Sequence, residues 1–578
     1  MRTIRRRTLL KYSAAAGGAL GLAPWLSSAP VAEAAVGGSL AKFVEPLPQL
    51  GAGIVVARPT GVDTSGVTHY AFTERTISRR LHPQLPPTPL FAYDDGSGLA
   101  GQAGSFGLAI AAKTGEPVQI DFTNTLPATY PAWIPVDTRL TPLGNAVRTM
   151  THLHGGFVAA ASDGNPTVSP NGFGPGDTQS VYYPNEAPEQ PASLLWFHDH
   201  GLGSTRLNVF AGLAAGYLIR DEYDTGDATN ANGLPWGPYE VPLVIQDRSF
   251  NPDGTFLYPT SLIPGVTWIG EYFGDVMLVN GKVWPYLNVE PRLYRFRILN
   301  GCNARILNLD MGGARMWQIG AEGGLWAAPV PIKGIVLSPA ERADVLVDFT
   351  PYAGRNGPKL VLQMKNSSPP PPVVTPAPSL SQVMQFRVAQ VPAVPSTIPA
   401  TLVGGRDASL PAGGTKRFIT LNEVGINTPQ WRLTLNGQPF SDASTENPAS
   451  GSVEDWYYVN LTGDTHPMHP HLVTHQVIGR VPFNVAAYTA AAAAAGMMGA
   501  GGVAGGLDPT PFATGAMLPP DPTERGFKDT VKANPGFFTI IRAKFELPAG
   551  VTGPQSYVHH CHIVEHEDND MMRPFVVQ

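Results

Sequence analysis

Cysteine is almost absent. Two residues, Cys302 and Cys561, in 578 exclude a scaffold held by disulfides. Charge is scarce too: 15% of residues are Asp, Glu, Lys or Arg against about 25% in an average domain, which fits neither a coiled coil nor a charged disordered chain. After residue 28 no run approaches the ~20 apolar residues that a membrane-spanning helix needs, so the mature chain is expected to have no membrane span. Long amphipathic helices are not evident. A basic surplus is also missing: 39 basic and 45 acidic residues give −6, and without residues 1–34 (Arg2, Arg5, Arg6, Arg7 and Lys11 against Glu33) the balance is 34 to 44, or −10. Such a surface repels phosphate backbones, so no nucleic-acid partner is expected. What the chain does have is 63 glycines and 58 prolines beside 43% hydrophobic residues, the composition of turn-rich, all-β structure.

The length predicts several domains. Val118, Ile120 and Phe122 alternate with polar residues, as do Tyr294, Phe296 and Ile298 with Arg295 and Arg297, the period of half-buried strands. Asn280-Gly281 and Asn436-Gly437 lie between strand-like runs in similar surroundings, two hairpin signals that echo one another. With a third strand set near 108–124 they suggest one β domain used three times. The polar, Gly-rich stretch 221–238 and the region 390–412 are the expected joints, giving domains at 35–225, 226–395 and 396–578. The proline run Pro369–Pro372 reads as a loop within the second. The Ala/Gly tract 486–506 could be helical in its alanine half, but its glycines argue for a mobile surface loop.

Residues 1–34 read as an export signal. Arg6-Arg7 precedes Thr8-Leu9-Leu10-Lys11, an apolar stretch Tyr12–Ser28 follows, and Ala32-Glu33-Ala34 supplies small residues for cleavage. The order resembles a twin-arginine signal, which exports folded, cofactor-loaded proteins and so implies a periplasmic, cell-surface or secreted protein. A disordered basic tail or a short membrane anchor is the competing reading.

Histidine distribution decides the chemistry. Ten of 14 fall in four clusters, His152-Leu-His154, His198-Asp-His200, His466-Pro-Met-His469-Pro-His471 and His560-Cys561-His562 with His566. Each contains an H-x-H pair, and residues two apart on a strand share a face. One such pair alone is more often structural; four of them offer eight imidazoles, more than one metal takes, and imply a multinuclear site. Cys561, His566 and Met571 follow at intervals of five, and His466 lies outside the pairs. Two imidazoles, a thiolate and a weak axial thioether make a blue-copper site; zinc explains neither the methionine nor the other imidazoles. Cys302, left without a partner, reads as buried and inert. Met497 and Met498 are weak grounds for a cuprous-ion site.

The four histidine stretches, ending in His560-Cys-His-Ile-Val-Glu-His-Glu-Asp-Asn-Asp-Met571, resemble the copper signatures of multicopper oxidases. Thr205–Gly212 and Glu524–Thr530 are similar to the bacterial spore-coat laccase, bilirubin oxidase and phenoxazinone synthase branch. The resemblance implies three cupredoxin-like Greek-key β-barrels and four copper ions. It gives a type 1 copper to His466, Cys561, His566 and Met571, a type 2 copper to His152 and His469, and a type 3 pair to His154, His198, His200, His471, His560 and His562. Asp163 and Glu567 match acidic positions of that branch and are the expected proton donors, with surface solvation as the alternative for each. Pro470 and Leu472 depart from the commoner pattern, in which plant and fungal laccases have Gly at the latter position.

The implied activity takes single electrons from a small-molecule reductant (a phenol, an aminophenol or a bilirubin-like pyrrole) through Cys561 and reduces dioxygen to water. The alternatives are a metallo-oxidase of cuprous or other metal ions, which usually carries a methionine-rich insert not found here, and a copper-free exported envelope scaffold. The sequence points to no protein partner.

Overall fold

The computed structural model describes residues 36–98, 107–354 and 361–578; the signal-like stretch 1–34 lies outside them. The strands form three groups, and one pairing scheme recurs in each. Thr68–Arg79 pairs antiparallel with Thr88–Asp94 and parallel with Val118–Asn124, which pairs antiparallel with Thr178–Tyr183. Glu240–Arg248 does the same with Val276–Val279, Leu293–Asn300 and Arg342–Asp348. Thr415–Val424 repeats it with Arg432–Leu435, Ser452–Asn460 and Phe537–Phe545. A second sheet completes each group, so that apolar faces meet as in any two-layer β domain. The architecture is all-β, in three cupredoxin-like domains.

The echo between the two Asn-Gly pairs extends to side chains. Asn280 and Asn436 both lie at positive φ (49° and 56°), where Asn is tolerated. Each is buried, with Oδ1 accepting the backbone N–H of the first strand of its domain, Val244 or Thr420.

Two segments differ from the sequence expectation. Leu293–Asn300 is buried on both faces, not one. Arg295 and Arg297 point into a closed cluster with Asp224, Glu240 and Asp344, at N–O distances down to 2.5 Å, so paired charge replaces solvent on the polar face. The tract 486–506 folds: Val485–Ala494 is a helix whose start is capped by the Asn484 side chain accepting from Ala487 N–H. Alanine's helix propensity prevails over the glycine content. Tyr488, Ala492 and Val503 enter a core cluster with Phe483 and Phe538. Gly501, Gly502 and Gly505 serve close packing; a Cβ at Gly502 (φ +114°), for example, would strike the Asn422 side chain. Cys302 is buried in the second domain's core, and burial pushes its thiol well up, consistent with an inert role.

Candidate metal centre

Two strand pairs from different domains supply eight imidazoles. In the first domain Thr151–His154 lies antiparallel to Ser193–Asp199, with His152 opposite His198. In the third, His466–Pro470 lies antiparallel to Gln555–Cys561, with His469 opposite His560. The rings interleave across the boundary: His152 stacks on His471 at 3.9 Å and His154 on His469 at 3.8 Å between centroids. All eight histidines are buried.

Their nitrogens are arranged as metal donors. His152 Nδ1 donates to the Asp163 carbonyl, His198 Nδ1 to the Asp199 carbonyl and His469 Nδ1 to the Asp529 carbonyl. The Nε2 atoms of these three rings are buried and unpartnered, as are His154 Nδ1 and both nitrogens of His562. Buried acceptors without partners are costly, and a cation removes that cost. Ring nitrogens of His154, His198 and His562 lie within 4.8 Å of one another, as do those of His152, His154 and His469 and those of His200, His471 and His560. In the last set His560 Nε2 is 3.3 Å from His200 Nε2 and 3.2 Å from His471 Nε2. Burial, together with the neighbouring imidazoles, pushes the proton affinity of His152, His154, His469, His471 and His562 well down, which keeps these rings neutral and able to ligate.

Three carboxylates reach the same pocket. Asp163 Oδ2 accepts from His471 Nδ1 (2.7 Å) and Asn165 Nδ2 (2.9 Å), while Oδ1 has no hydrogen-bond partner and lies 3.5 Å from His152 Nδ1. Burial raises its pKa to about 7. The turn that presents it requires Gly164 (φ +72°), where a Cβ would collide with the Thr151 carbonyl. Glu567 accepts from Thr205 Oγ1 (2.7 Å) and lies 3.4 Å from His200 Nδ1 and 3.2 Å from His560 Nδ1. Burial works against its charge, but those imidazoles prevail and hold it at about 2. Asp529 Oδ1 lies 3.2 Å from His154 Nε2. The first two were expected near the cluster. Asp529 was not, although it falls in the Glu524–Thr530 stretch; nothing local marks a residue that acts 375 positions from His154.

The second pocket lies within the third domain. Cys561 Sγ is 3.5 Å from His466 Nδ1 and 3.8 Å from His566 Nδ1, and those two nitrogens are 3.2 Å apart. Met571 is buried in the same core cluster as Cys561. Its backbone closes the loop: Cys561 N–H donates to the Met571 carbonyl (2.9 Å) and Met571 N–H to the His566 carbonyl (3.0 Å). His466 Nε2 faces Thr462 Oγ1 (2.7 Å) and Asp464 (3.3 Å).

Comparison with known proteins gives the family. Residues 416–578 match a multicopper oxidase family model. A laccase from Bacillus subtilis (strain 168) is 37% identical over 534 residues, covering 88% of this chain and 94% of the relative. This chain belongs to the multicopper oxidase family. A laccase from Bacillus stratosphericus is 36% identical, covering 93% of this chain and 99% of its own. Among solved structures, the McoA multicopper oxidase of Aquifex aeolicus superposes with a TM-score of 0.71 at 26% identity, over 93% of this chain and all of that one.

As a multicopper oxidase the protein is a copper-dependent oxidoreductase that takes dioxygen as electron acceptor. Membership and the intact donor set favour an oxidase over a copper-free scaffold. No helix among the described residues is long and apolar enough to cross a membrane.

Proposed function

We propose that the enzyme is laccase-like and oxidises phenols, aminophenols or bilirubin-like pyrroles with four copper ions. His466, Cys561, His566 and Met571 hold the type 1 ion, His152 and His469 the type 2 ion, and His154, His198, His200, His471, His560 and His562 the type 3 pair. When bound, copper supplies one-electron transfer from the reductant and the four-electron reduction of dioxygen to two waters. Cys561 carries the sulfur donor between His560 and His562 in the chain, so one stretch of backbone joins the two pockets covalently. Asp163, raised to about 7, can take up and release a proton near neutrality, while Glu567, held ionised, orients His200 and His560, so the pocket has its own proton-carrying carboxyl group when its imidazoles are all ligating. Export through the 1–34 signal and domain joints near 225 and 395 complete the proposal.

The observation that carries the substrate class is half-buried Trp431 over the core cluster of Cys561 and Met571, backed by buried Trp268. Trp268 Nε1 donates to the Glu565 carbonyl (3.1 Å) and its ring meets Trp431 edge-on at 4.9 Å. Half-buried Leu140, Ile263, Phe273 and Trp431 pack against the core cluster containing Cys561 and Met571. Such a surface suits a flat aromatic reductant. Dioxygen uptake by copper-loaded protein, compared on a phenol, an aminophenol, bilirubin and cuprous ion without other added copper, tests it. Faster turnover on cuprous ion than on every organic reductant would refute the substrate class.

A further inference from the structure

The second domain contributes no histidine to either pocket, yet it reaches the eight-imidazole pocket through one buried ion pair. Arg342 begins the strand Arg342–Asp348 of that domain. Its Nη1 donates to Asp529 Oδ1 (2.8 Å) and its Nη2 to Asp529 Oδ2 (2.6 Å). The Asp529 carboxylate in turn holds His154 Nε2 of the first domain, and the Asp529 carbonyl accepts from His469 Nδ1 of the third (2.8 Å). These are the two imidazoles that stack face to face at 3.8 Å. Flanking pairs lock the segment on either side. Lys528 Nζ bonds both oxygens of Glu322 (2.8 and 2.7 Å) and Lys532 Nζ both oxygens of Glu341 (2.8 Å each); both glutamates belong to the second domain. Arg342 N–H donates to Glu322 (3.0 Å), and Val531–Ala533 pairs with the strand His466–Pro470. All of these charged side chains are buried.

We infer that Arg342 and Asp529 are positioning residues for His154 and His469, so that through this pair the second domain sets the geometry of type 2 and type 3 ligands and not that of the mononuclear donors. This rests on the copper assignment above. The physical reason is that a two-pronged guanidinium–carboxylate pair fixes the plane of the carboxylate, and a carboxylate on the far nitrogen of a ligating imidazole fixes ring orientation and tautomer. Copper leaves this relation intact, because His154 presents Nδ1 to the pocket and Nε2 to Asp529.

The test is the double variant Arg342→Gln/Asp529→Asn, which removes both charges together and leaves no buried ion unpaired. Copper per chain, the type 2 electron paramagnetic resonance signal, the blue absorbance and turnover are read on one preparation. Expected are an unchanged blue absorbance per chain, a lost or altered type 2 signal with less copper, and turnover lower by about 10–100-fold. The control is Arg305→Gln/Asp247→Asn, which removes a buried pair of the same kind (2.8 Å) within the second domain. It lowers the melting temperature and leaves both copper signals unchanged. If the first variant does not fold, Arg342→Lys, which keeps the charge but not the two-pronged grip, is read by the same signals. A type 2 signal, copper content and turnover equal to the parent's overturn the inference, and so does an equal loss of the blue and type 2 signals. A parent chain that takes up copper without either signal would instead overturn the copper assignment.

Discussion

The two pockets share a strand, Gln555–Cys561, and differ in almost everything else. The mononuclear pocket is assembled by one domain. Its surroundings are the apolar cluster of Met468, Ile563 and Phe575, with Asp464 and Thr462 at its edge and Glu565, next to His566, held by Tyr258, Trp268 and Asn303 of the second domain. The eight-imidazole pocket lies across two domains, is braced by a third, and carries carboxyl groups against five of its rings. Electron transfer alone needs soft donors held rigidly and no proton source. Dioxygen reduction consumes protons, and the second pocket sets three fully buried carboxyl groups against its imidazoles, where the mononuclear pocket has the Asp464 carboxylate beside His466. The difference in surroundings therefore matches the difference in chemistry.

The largest expected effect comes from cutting the link between the two. Cys561→Ser removes the sulfur donor while leaving all eight imidazoles. The blue absorbance should vanish and oxidation of every reductant fall to background, with type 2 copper retained in the resonance spectrum. Sustained turnover in this variant would mean that electrons reach dioxygen by another path.

A smaller effect should separate the pockets in the opposite sense. Asp163→Asn keeps the size of the side chain and its bond to Asn165 but removes the titratable proton. Turnover should fall by about 10²-fold, the low end for loss of a general acid, with the blue absorbance unchanged. A variant that turns over normally but melts earlier would make Asp163 a turn residue and nothing more.

How much of this contrast was legible in the sequence follows from the range of each interaction. H-x-H spacing and the intervals of five around Cys561 are local, so the histidine clusters and the copper chemistry could be read directly, although His200, His471 and His562 lie just past the ends of their strands. The paired Asn-Gly turns were legible for the same reason. Arg295 and Arg297 were misjudged as facing solvent because their partners, Asp224, Glu240 and Asp344, come from three separate segments. Asp529 stayed hidden because its value lies in contacts hundreds of residues away. Composition misled at 486–506, where Gly501, Gly502 and Gly505, needed for close packing, resembled the glycines of a loose loop.

Proton binding should distinguish the pockets in copper-free protein. Burial lowers the proton affinity of the imidazoles, to about 3 for His198 and His566. The unfolded chain, with ordinary values near 6.5, therefore binds more protons than the folded one below that pH, and stability is lost as pH falls from about 6.5. Asp163 works in the other direction. Its pKa, raised to about 7, gives stability that is fully present below the unfolded value of 3.8 and is lost as pH rises through 7. Melting temperatures of copper-free protein from pH 7.5 to 5 should therefore fall more steeply, or rise less, in Asp163→Asn than in the parent, because the variant lacks the offset. Equal slopes would mean that the carboxyl group is ionised throughout. Of the imidazole contribution the eight-imidazole pocket should supply most, since seven of its rings bind protons more weakly than usual against two in the mononuclear pocket.

The smallest expected effect lies at Leu472, which belongs to both pockets. It follows His471, and its own side chain packs in the cluster that contains Cys561 and Met571. Its φ is +69°, the left-handed region, where a residue with a Cβ costs about 1–2 kcal/mol. The Gly that plant and fungal laccases have here avoids that cost, whereas this chain accepts it for a buried leucine. Truncating a buried leucine costs roughly 2–5 kcal/mol, so Leu472→Gly should destabilise on balance, by about 1–3 kcal/mol once the strain is relieved. The decisive comparison is with Leu472→Ala, which loses nearly the same packing but keeps the strain. At an ordinary position alanine is the more stable of the two by about 1 kcal/mol. At this one the order should reverse, with leucine most stable, glycine next and alanine last. Because a chain of three domains need not unfold in one step, the readout should be local: the temperature at which the blue absorbance is lost. Alanine above glycine on that scale would show that the left-handed backbone at Leu472 carries no strain.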